Sequence, residues 1–259
     1  MHRALSTERR VVAVVQARMG STRFPGKVLA DLGGYPVLEW VVRAAQRVVG
    51  VDSVVVATTT NDEDAAIEAW CHSTGTEVFR GHPVDVLERY ADCARQSSAT
   101  HVVRLTADCP LLDAGVVSKV LSRGLETGAD YFCLAGDFPD GLDCEGFTVE
   151  ALNIAHASAT RPSEREHVTP YLKDPANNLR VEEVVLFHTL SDVRLTVDYP
   201  ADLALLRQIV GTIGLPQREI TTEEVLGVLE RNPQLSQVNS HIPRNEGYAR
   251  SLERESPSG

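Results

Sequence analysis

The stretch that decides the fold is VVAVVQARMGSTRFPGKVLADLGG, residues 11–34. Five apolar residues, Val11 to Val15, run without a break and stop at Gln16. A continuous, mostly β-branched run of that kind suits a strand buried on both faces. The next segment has the opposite character: Arg18, Arg23 and Lys27 are interleaved with Gly20, Ser21, Pro25 and Gly26 before apolar chain resumes at Val28. In open α/β sheets ligands bind beyond the carboxyl ends of the strands, where residues 17–27 would fall. Gly20 and Gly26 let backbone N–H groups approach an anion closely. The cations neutralise its charge, arginine as a planar fork and lysine as a point charge. The segment is neither a GxxxxGK[ST] loop nor a GxGxxG fingerprint. A solvated loop with incidental cations is the plain alternative.

Working outward, SVVVA in 53–58 and HVVRL in 101–106 repeat the buried-strand signature. Further candidate strands are 130–134, 181–186 and 193–197. Amphipathic stretches lie between, at 36–49, 62–73, 84–97 and 113–124. Pro36 opens the first and Asp62 is placed to cap the second. This order predicts an α/β fold, a mainly parallel sheet sandwiched by helices. Residues 136–148 read as a loop entering a strand, 162–174 as a helix, and 200–211 and 221–231 as a last helix pair. Residues 1–239 are expected to form one domain. The polar end, 240–259, with Pro243, Asn245, Gly247, Pro257 and Gly259, reads as a loose or draped tail.

Charge narrows the ligand. The chain has 259 residues and a net charge of −11, which argues against binding a nucleic-acid backbone. Residues 1–27 nevertheless hold Arg3, Arg9, Arg10, Arg18, Arg23 and Lys27 against Glu8 alone, a local +5. Cations so localised suit a small anionic ligand. No apolar run approaches the roughly 20 residues that span a bilayer, and no cleavage pattern follows Val15. Neither a membrane span nor a signal peptide is expected. Cys71, Cys93, Cys109, Cys133 and Cys144 form no close pair. They read as buried small hydrophobes in a reducing cytoplasm, not as a zinc site.

Two aspartates stand where a site would need them. Asp108, in VVRLTADCPLLD (102–113), and Asp198, in VRLTVDYPADL (193–203), each follow a candidate strand and precede a proline. Either alone would pass for a helix cap or turn former. Brought together, they could hold Mg²⁺, a hard cation that takes oxygen ligands. In FPDGLDCEGFT (138–148), Asp140-Gly141 is explained as a turn, while Asp143 and Glu145 alternate with Cys144 and could share one side of a strand. In RPSEREHVTPYL (161–172), Ser163 and Glu166 match a capping box, which leaves Arg165 and His167 unexplained. In EVFRGHPVDVLERY (77–90), a helix N-terminal charge accounts for Asp85 as well as a ligand role does.

QARMGSTRFPGKVL, residues 16–29, resembles the N-terminal signature of the cytidylyltransferases that activate acidic sugars. These include the CMP-ketodeoxyoctonate and CMP-acylneuraminate synthetases and the spore coat polysaccharide branch. The likeness runs from about 11 to about 210. It implies a glycosyltransferase-A-like, Rossmann-like nucleotidyltransferase fold and a loop that wraps the triphosphate of CTP. Gln16, Ala17, Arg18, Met19, Gly20, Ser21, Arg23 and Lys27 become nucleotide ligands, with Arg80, Asp85 and Val86 near the base and ribose. TADCPLLD resembles the family's GD-x-P segment and TVDYPADL its VDTPEDL segment, with Tyr199 in place of Thr. That makes Asp108 and Asp198 Mg²⁺ ligands, and Arg18, Lys27 and Asp108 the catalytic set. Asp143, Glu145, Arg165 and His167 become candidates for binding a small anionic acceptor, and Arg194, four residues before Asp198, is a further candidate anion ligand by its position. Residues 136–190 are expected to contribute to acceptor binding and a homodimer. Two rivals remain. A nucleotide-sugar-dependent glycosyltransferase needs no pyrophosphate clamp, so the cations of 18–27 count against it. A non-catalytic nucleotide-binding partner protein has no chemical need for Lys27, Asp108 and Asp198 together.

Overall fold

A computed structural model describes residues 8–214 and 219–255. Arg3, Pro257 and Gly259 lie outside them. Strand β1 is Val11–Gln16, and Val11 to Val15 are fully buried. Val11, Ala13 and Val15 enter one core, Val12 and Val14 another. This two-sided burial is why the run is continuous rather than alternating.

A small hairpin, β2 (Asp31–Leu32) and β3 (Tyr35–Pro36), and helix α1 (Val37–Ala45) come next. The chain then alternates β4 (Ser53–Thr59), α2 (Ala65–Thr74), β5 (Glu77–Gly81), α3 (Val86–Gln96), β6 (His101–Thr106), α4 (Ala114–Thr127) and β7 (Tyr131–Gly136). After these come β8 (Glu145–Thr148), α5 (Val149–Ser158), α6 (Pro162–His167), α7 (Pro170–Lys173) and β9 (Val181–Phe187). Helices α8 (Pro200–Ile213), α9 (Thr222–Arg231) and α10 (Glu246–Glu255) follow in turn.

Seven strands form one sheet in the order β5-β4-β1-β6-β8-β7-β9. All pairings are parallel except those made by β8. Leu38, Val41, Val117 and Leu121 carry α1 and α4 onto one face, while Leu87, Tyr90 and Leu152 carry α3 and α5 onto the other. Leu203, Leu206, Val225 and Val228 of α8 and α9 pack a third core over Leu32 and Trp40. The mainly parallel, helix-covered sheet expected from the sequence is present. Strand order reverses between β1 and β6, whose ends are level because Gln16 pairs with Thr106. The connections leaving these two strands diverge, which opens a crevice at their carboxyl ends.

Several local expectations are corrected. Segment 193–197 is not a strand: it makes one bridge, between Asp140 and Arg194. Its backbone is held instead by loops, Leu195 N–H donating to Asp140 O at 2.6 Å and Val197 N–H to Asp108 O at 2.8 Å. Asp62 lies inside a 3₁₀ turn, Asp62–Asp64, so it caps nothing. The helix expected over 162–174 breaks at Val168, whose φ is 70°. Pro170 starts the next helix because its missing N–H is one that a first turn does not use. Ser163 and Glu166 form no capping box: Glu164 reaches back to the start of α6 instead, accepting Arg161 N–H at 2.9 Å. Strand β5 and helix α5 had no counterpart among the expected elements. The tail carries a ten-residue helix, α10.

Gly141 is where the fold admits least. Its φ is +103°, and a Cβ there would stand 2.7 Å from the Leu195 carbonyl carbon and 2.8 Å from Thr196 N. Gly141→Ala is therefore expected to cost at least about 1–3 kcal/mol of backbone strain. Urea unfolding measures it, and wild-type stability would contradict the close packing of 140–141 against 194–196.

Candidate active site

The loop after β1 is built by backbone hydrogen bonds and one buried carboxylate. Ala17 N–H donates to Ala57 O at 3.1 Å, and Met19 N–H donates to Asp64 Oδ1 at 2.6 Å. Asp64 is fully buried and also accepts from the Thr59 hydroxyl. Met19 O receives the N–H groups of Ser21 at 2.9 Å and Gly26 at 3.0 Å, which closes the loop into an arch. Gly20 fits under Glu63, whose Oε1 would lie 2.6 Å from an added Cβ. Gly26, at φ 72°, turns the chain into the 3₁₀ turn Lys27–Leu29 and so directs Lys27 inward. Arg18 stays exposed. Gln16 Oε1 is buried without a hydrogen-bond partner among the described residues.

Lys27 is 9% exposed, and its Nζ lies 2.7 Å from Asp108 Oδ2 and 2.8 Å from Asp198 Oδ1. The two aspartates, 90 positions apart in the chain, therefore meet as expected across one ammonium group. Burial opposes charge on all three groups. For Lys27, the attraction of Asp108 and Asp198 outweighs burial and raises its pKa above the ordinary value. For the aspartates the same contacts outweigh burial and lower theirs. All three are thus held charged at neutral pH. Arg23 adds a 2.8 Å ion pair to Asp198.

Behind this triad stands a second set of charges. Arg194 donates to Asp198 at 3.0 Å, Asp140 at 2.7 Å and Asp202 at 3.0 and 3.2 Å. Asp202, fully buried, also accepts the N–H groups of Asp198 and Tyr199 at 2.9 Å, capping α8. The Asp108 carbonyl receives Val197 N–H and, at 3.2 Å, the Thr196 hydroxyl. These contacts orient both aspartates from behind. The Cys109 thiol, packed beside Thr106 and Thr196, is pushed well above its usual value by burial and the Asp108 charge, so it is no thiolate nucleophile.

Two cavities adjoin at this point. One, of about 400 Å³, is lined by Gln16, Arg18, Gly20, Ser21 and Lys27 of the loop and by Arg250 and Arg254 of α10. The other, of about 710 Å³, is lined by Arg104, Asp143, Glu145, Arg161, Lys173 and Arg244 among others. They share Arg23, Thr106, Asp108, His167, Asp198 and Gly247. Each falls in the range of about 300–1,000 Å³ typical of small-molecule sites.

In the larger cavity Glu145 accepts from Arg104 at 2.6 Å, Tyr131 OH at 2.7 Å and Thr169 Oγ1 at 3.0 Å, and pairs with Lys173 at 2.5 Å. Asp143 lies before β8 rather than in it, and accepts from Gly141 N–H at 3.0 Å and Arg244 at 3.2 Å. His167 lines both cavities, with its Nε2 3.0 Å from Ser251 Oγ and its ring edge-on to Tyr248. Burial lowers its pKa.

Four expected ligands are engaged elsewhere. Arg80 spends its guanidinium on Thr59 O, Asn61 O and Glu68, tying β4 to the turn after it. Asp85 caps α3 through Glu88 N–H and pairs with Arg165 at 2.5 Å. Arg165 also donates to His156 O at 2.7 Å, joining α3 to α5 and α6. Val86 is 2% exposed in the core. Arg194 does border the larger cavity, but carboxylates hold it. Conversely, Asp64, Asp202, Arg104, Lys173, Arg250 and Arg254 were not among the expected site residues. Their roles rest on long-range packing, although the i+4 spacing of Arg250 and Arg254 is visible in the sequence.

The environment of Glu145 has a pH consequence. Burial would raise its pKa, but Arg104 and then Lys173 outweigh it and hold the carboxyl at about 2, below its ordinary 4.5. A depressed carboxylate stabilises the fold fully above the unfolded value and loses that contribution as pH falls towards the folded one. Glu145→Gln should flatten the stability curve between about pH 4.5 and 2, as read from urea unfolding at each pH. An unchanged slope there would contradict the ion-pair assignment.

Residues 12–224 match the family model described as cytidylyltransferase. An uncharacterised protein of Methanocaldococcus jannaschii is 33% identical over 92% of this chain and 98% of its own length. The spore coat polysaccharide biosynthesis protein SpsF of Bacillus subtilis is 29% identical over 86% of this chain and 95% of its own. Among solved structures, a cytidylyltransferase from Leptospira borgpetersenii superposes with a TM-score of 0.82 at 29% identity, covering 89% of this chain and 98% of the other. With a parallel sheet open at its switch point and a cationic loop at that opening, the chain belongs to the cytidylyltransferase family.

Proposed function

We propose that this cytidylyltransferase moves CMP from CTP to a small anionic acceptor, a sugar acid or a phosphorylated or phosphonylated molecule, in an Mg²⁺-dependent reaction that releases pyrophosphate. The observation that carries this reading is the placement of Asp108 and Asp198 at the seam of two cavities, joined by Lys27 from the loop side. The cavity with the loop and its cations suits a triphosphate. The other, with Arg104, Arg161, Lys173 and Arg244 on its walls, suits an anionic acceptor. The name of the Bacillus subtilis relative favours a role in polysaccharide synthesis.

The donor set fits Mg²⁺. Asp108 and Asp198 present hard carboxylate oxygens that already share one cationic group, Lys27. No cluster of three or more His, Cys, Asp or Glu suited to a metal occurs among the described residues. Two carboxylates suit Mg²⁺, which takes one or two and completes its shell with substrate phosphate and water. Once bound it would offset negative charge on phosphate oxygens.

The chain's own groups do the rest. An acceptor oxygen attacks the α-phosphorus in line, a P–O bond forms, and the bond to the bridging oxygen breaks. Pyrophosphate leaves with the electron pair. Arg18 and Lys27 stabilise the leaving charge, since cations fixed in place need no reorganisation as charge develops. The Met19, Ser21 and Gly26 N–H groups are spent within the loop, so those of Gly20 and Thr22 are among the ones left to hold phosphate, and positioning supplies much of the remaining rate. An acceptor that attacks through an ionised phosphate or phosphonate brings no proton to remove, whereas a sugar-acid hydroxyl gives up its proton to water as the P–O bond forms; no side chain is assigned as general base. The buried free thiols fit a cytoplasmic setting. No helix among the described residues is long and apolar enough to cross a membrane. A homodimer formed through 136–190 follows from the family resemblance.

Two experiments test this. In a thermal-shift panel of CTP, UTP, GTP and ATP with and without Mg²⁺, CTP with Mg²⁺ should stabilise most, by about 2.7 kcal/mol at 100-fold over its Kd. A panel in which no triphosphate shifts the melt would sink the nucleotide reading. Lys27→Ala and Asp108→Asn should each lower pyrophosphate release by about 10²-fold or more while the protein stays folded. A fully active Asp108→Asn enzyme would remove the metal assignment.

A further inference from the structure

Helix α10 lies beyond the residues that match the cytidylyltransferase family, yet it walls the cavity that contains the phosphate loop. Gly247, Arg250, Ser251 and Arg254 line that cavity together with Arg18, Ser21 and Lys27. Arg250 and Arg254 are four residues apart, so they stand on one face of the helix. The helix is seated by specific contacts. Ser251 Oγ donates to Glu166 Oε2 at 3.0 Å, Ser163 Oγ donates to Glu255 Oε2 at 2.8 Å, and Tyr248 packs on His167 with ring centroids 5.0 Å apart. Ser251 is only 6% exposed.

The carboxylate of Glu246, on the side of the larger cavity, shows that Arg250 takes an anionic partner. It pairs with Arg250 on its own helix and, at 3.5 Å, with Arg23 of the loop, and it accepts from Tyr199 OH at 2.8 Å. One anionic group thus lies between two arginines that both line the cavity, as a phosphate oxygen would. The loop alone has little positive charge to spare. Lys27 is shared by Asp108 and Asp198, and Arg23 is paired with Asp198. Among the described residues Arg18 and Arg254 form no ion pair. A triphosphate bound there needs cations from a second side.

We propose that α10 is the far wall of the triphosphate site. Arg250 and Arg254 bind the outer phosphates across the cavity from Arg18 and Lys27, and a phosphate replaces Glu246 as the partner of Arg250. The inference rests on the nucleotide reading above and adds a segment that the family match does not contain. It predicts discrimination by phosphate number, because CMP lacks the two phosphates that these arginines would reach.

The test is calorimetric titration of the full chain with CTP and with CMP, both with Mg²⁺. Arg250→Gln/Arg254→Gln should weaken CTP at least about tenfold, as expected for lost charge-assisted contacts, and leave CMP within about twofold. Arg250→Lys/Arg254→Lys, which keeps the charge, should recover most of the CTP affinity. Unchanged CTP affinity in the glutamine pair would overturn the proposal. So would an equal loss for CTP and CMP, which would make α10 a structural cover. These outcomes differ from failure of the nucleotide reading itself, in which the unmodified protein binds no CTP and both proposals fall.

Discussion

The ammonium group of Lys27 lies 2.7 Å from Asp108 and 2.8 Å from Asp198, and it joins three segments remote in sequence. Without it, Asp108 would face the Asp198 carboxylate with no cation of its own, since Arg23 and Arg194 pair with Asp198. Arrangements of this kind are poor investments in stability, since desolvating the charges cancels much of their attraction. The geometry is better explained by charge placement. A cation and two anions are held where the carboxyl ends of β1 and β6 diverge, beside the loop proposed to take the triphosphate.

That triad depends on a scaffold of further charges. Arg194 and the fully buried Asp202 brace the Asp198 segment, and the Asp108 carbonyl receives the backbone of the same segment. Because 193–198 lacks a ladder of strand pairing, these contacts must do what a sheet would otherwise do. Asp64 serves the other side by holding Met19. Several buried carboxylates are therefore architectural, and a count of acidic residues near the site would overstate its chemistry.

Much of the fold was legible because burial on two faces leaves an unmistakable trace. β1, β4 and β6 are nearly uninterrupted valine-rich runs, and their helices carry clear amphipathic spacing. β5 was missed because it is a short edge strand, EVFRG, whose pattern alternates without a strong apolar run. The strand expected at 193–197 has strand-like residues, but its neighbours are loops, so backbone hydrogen bonding rather than propensity decided its form. The tail looked unstructured from composition. Ser251, Tyr248 and Glu255 find partners on α6, and such partners are invisible to local sequence.

By itself the sequence determined that an α/β sheet would end in a cationic, glycine-punctuated loop, and that Asp108 and Asp198 would each stand at the end of an apolar run. Local periodicity and turn chemistry are enough for that, because they act over a few residues. The tertiary structure alone decided which candidates meet. It brought Lys27 between the two aspartates, turned Asp85 and Arg165 towards each other, committed Arg80 to the end of β4, and placed Arg250 and Arg254 in the cavity that the loop lines. Those outcomes depend on side-chain reach and on which charges neutralise one another across the fold, and neither is written in the spacing of residues along the chain.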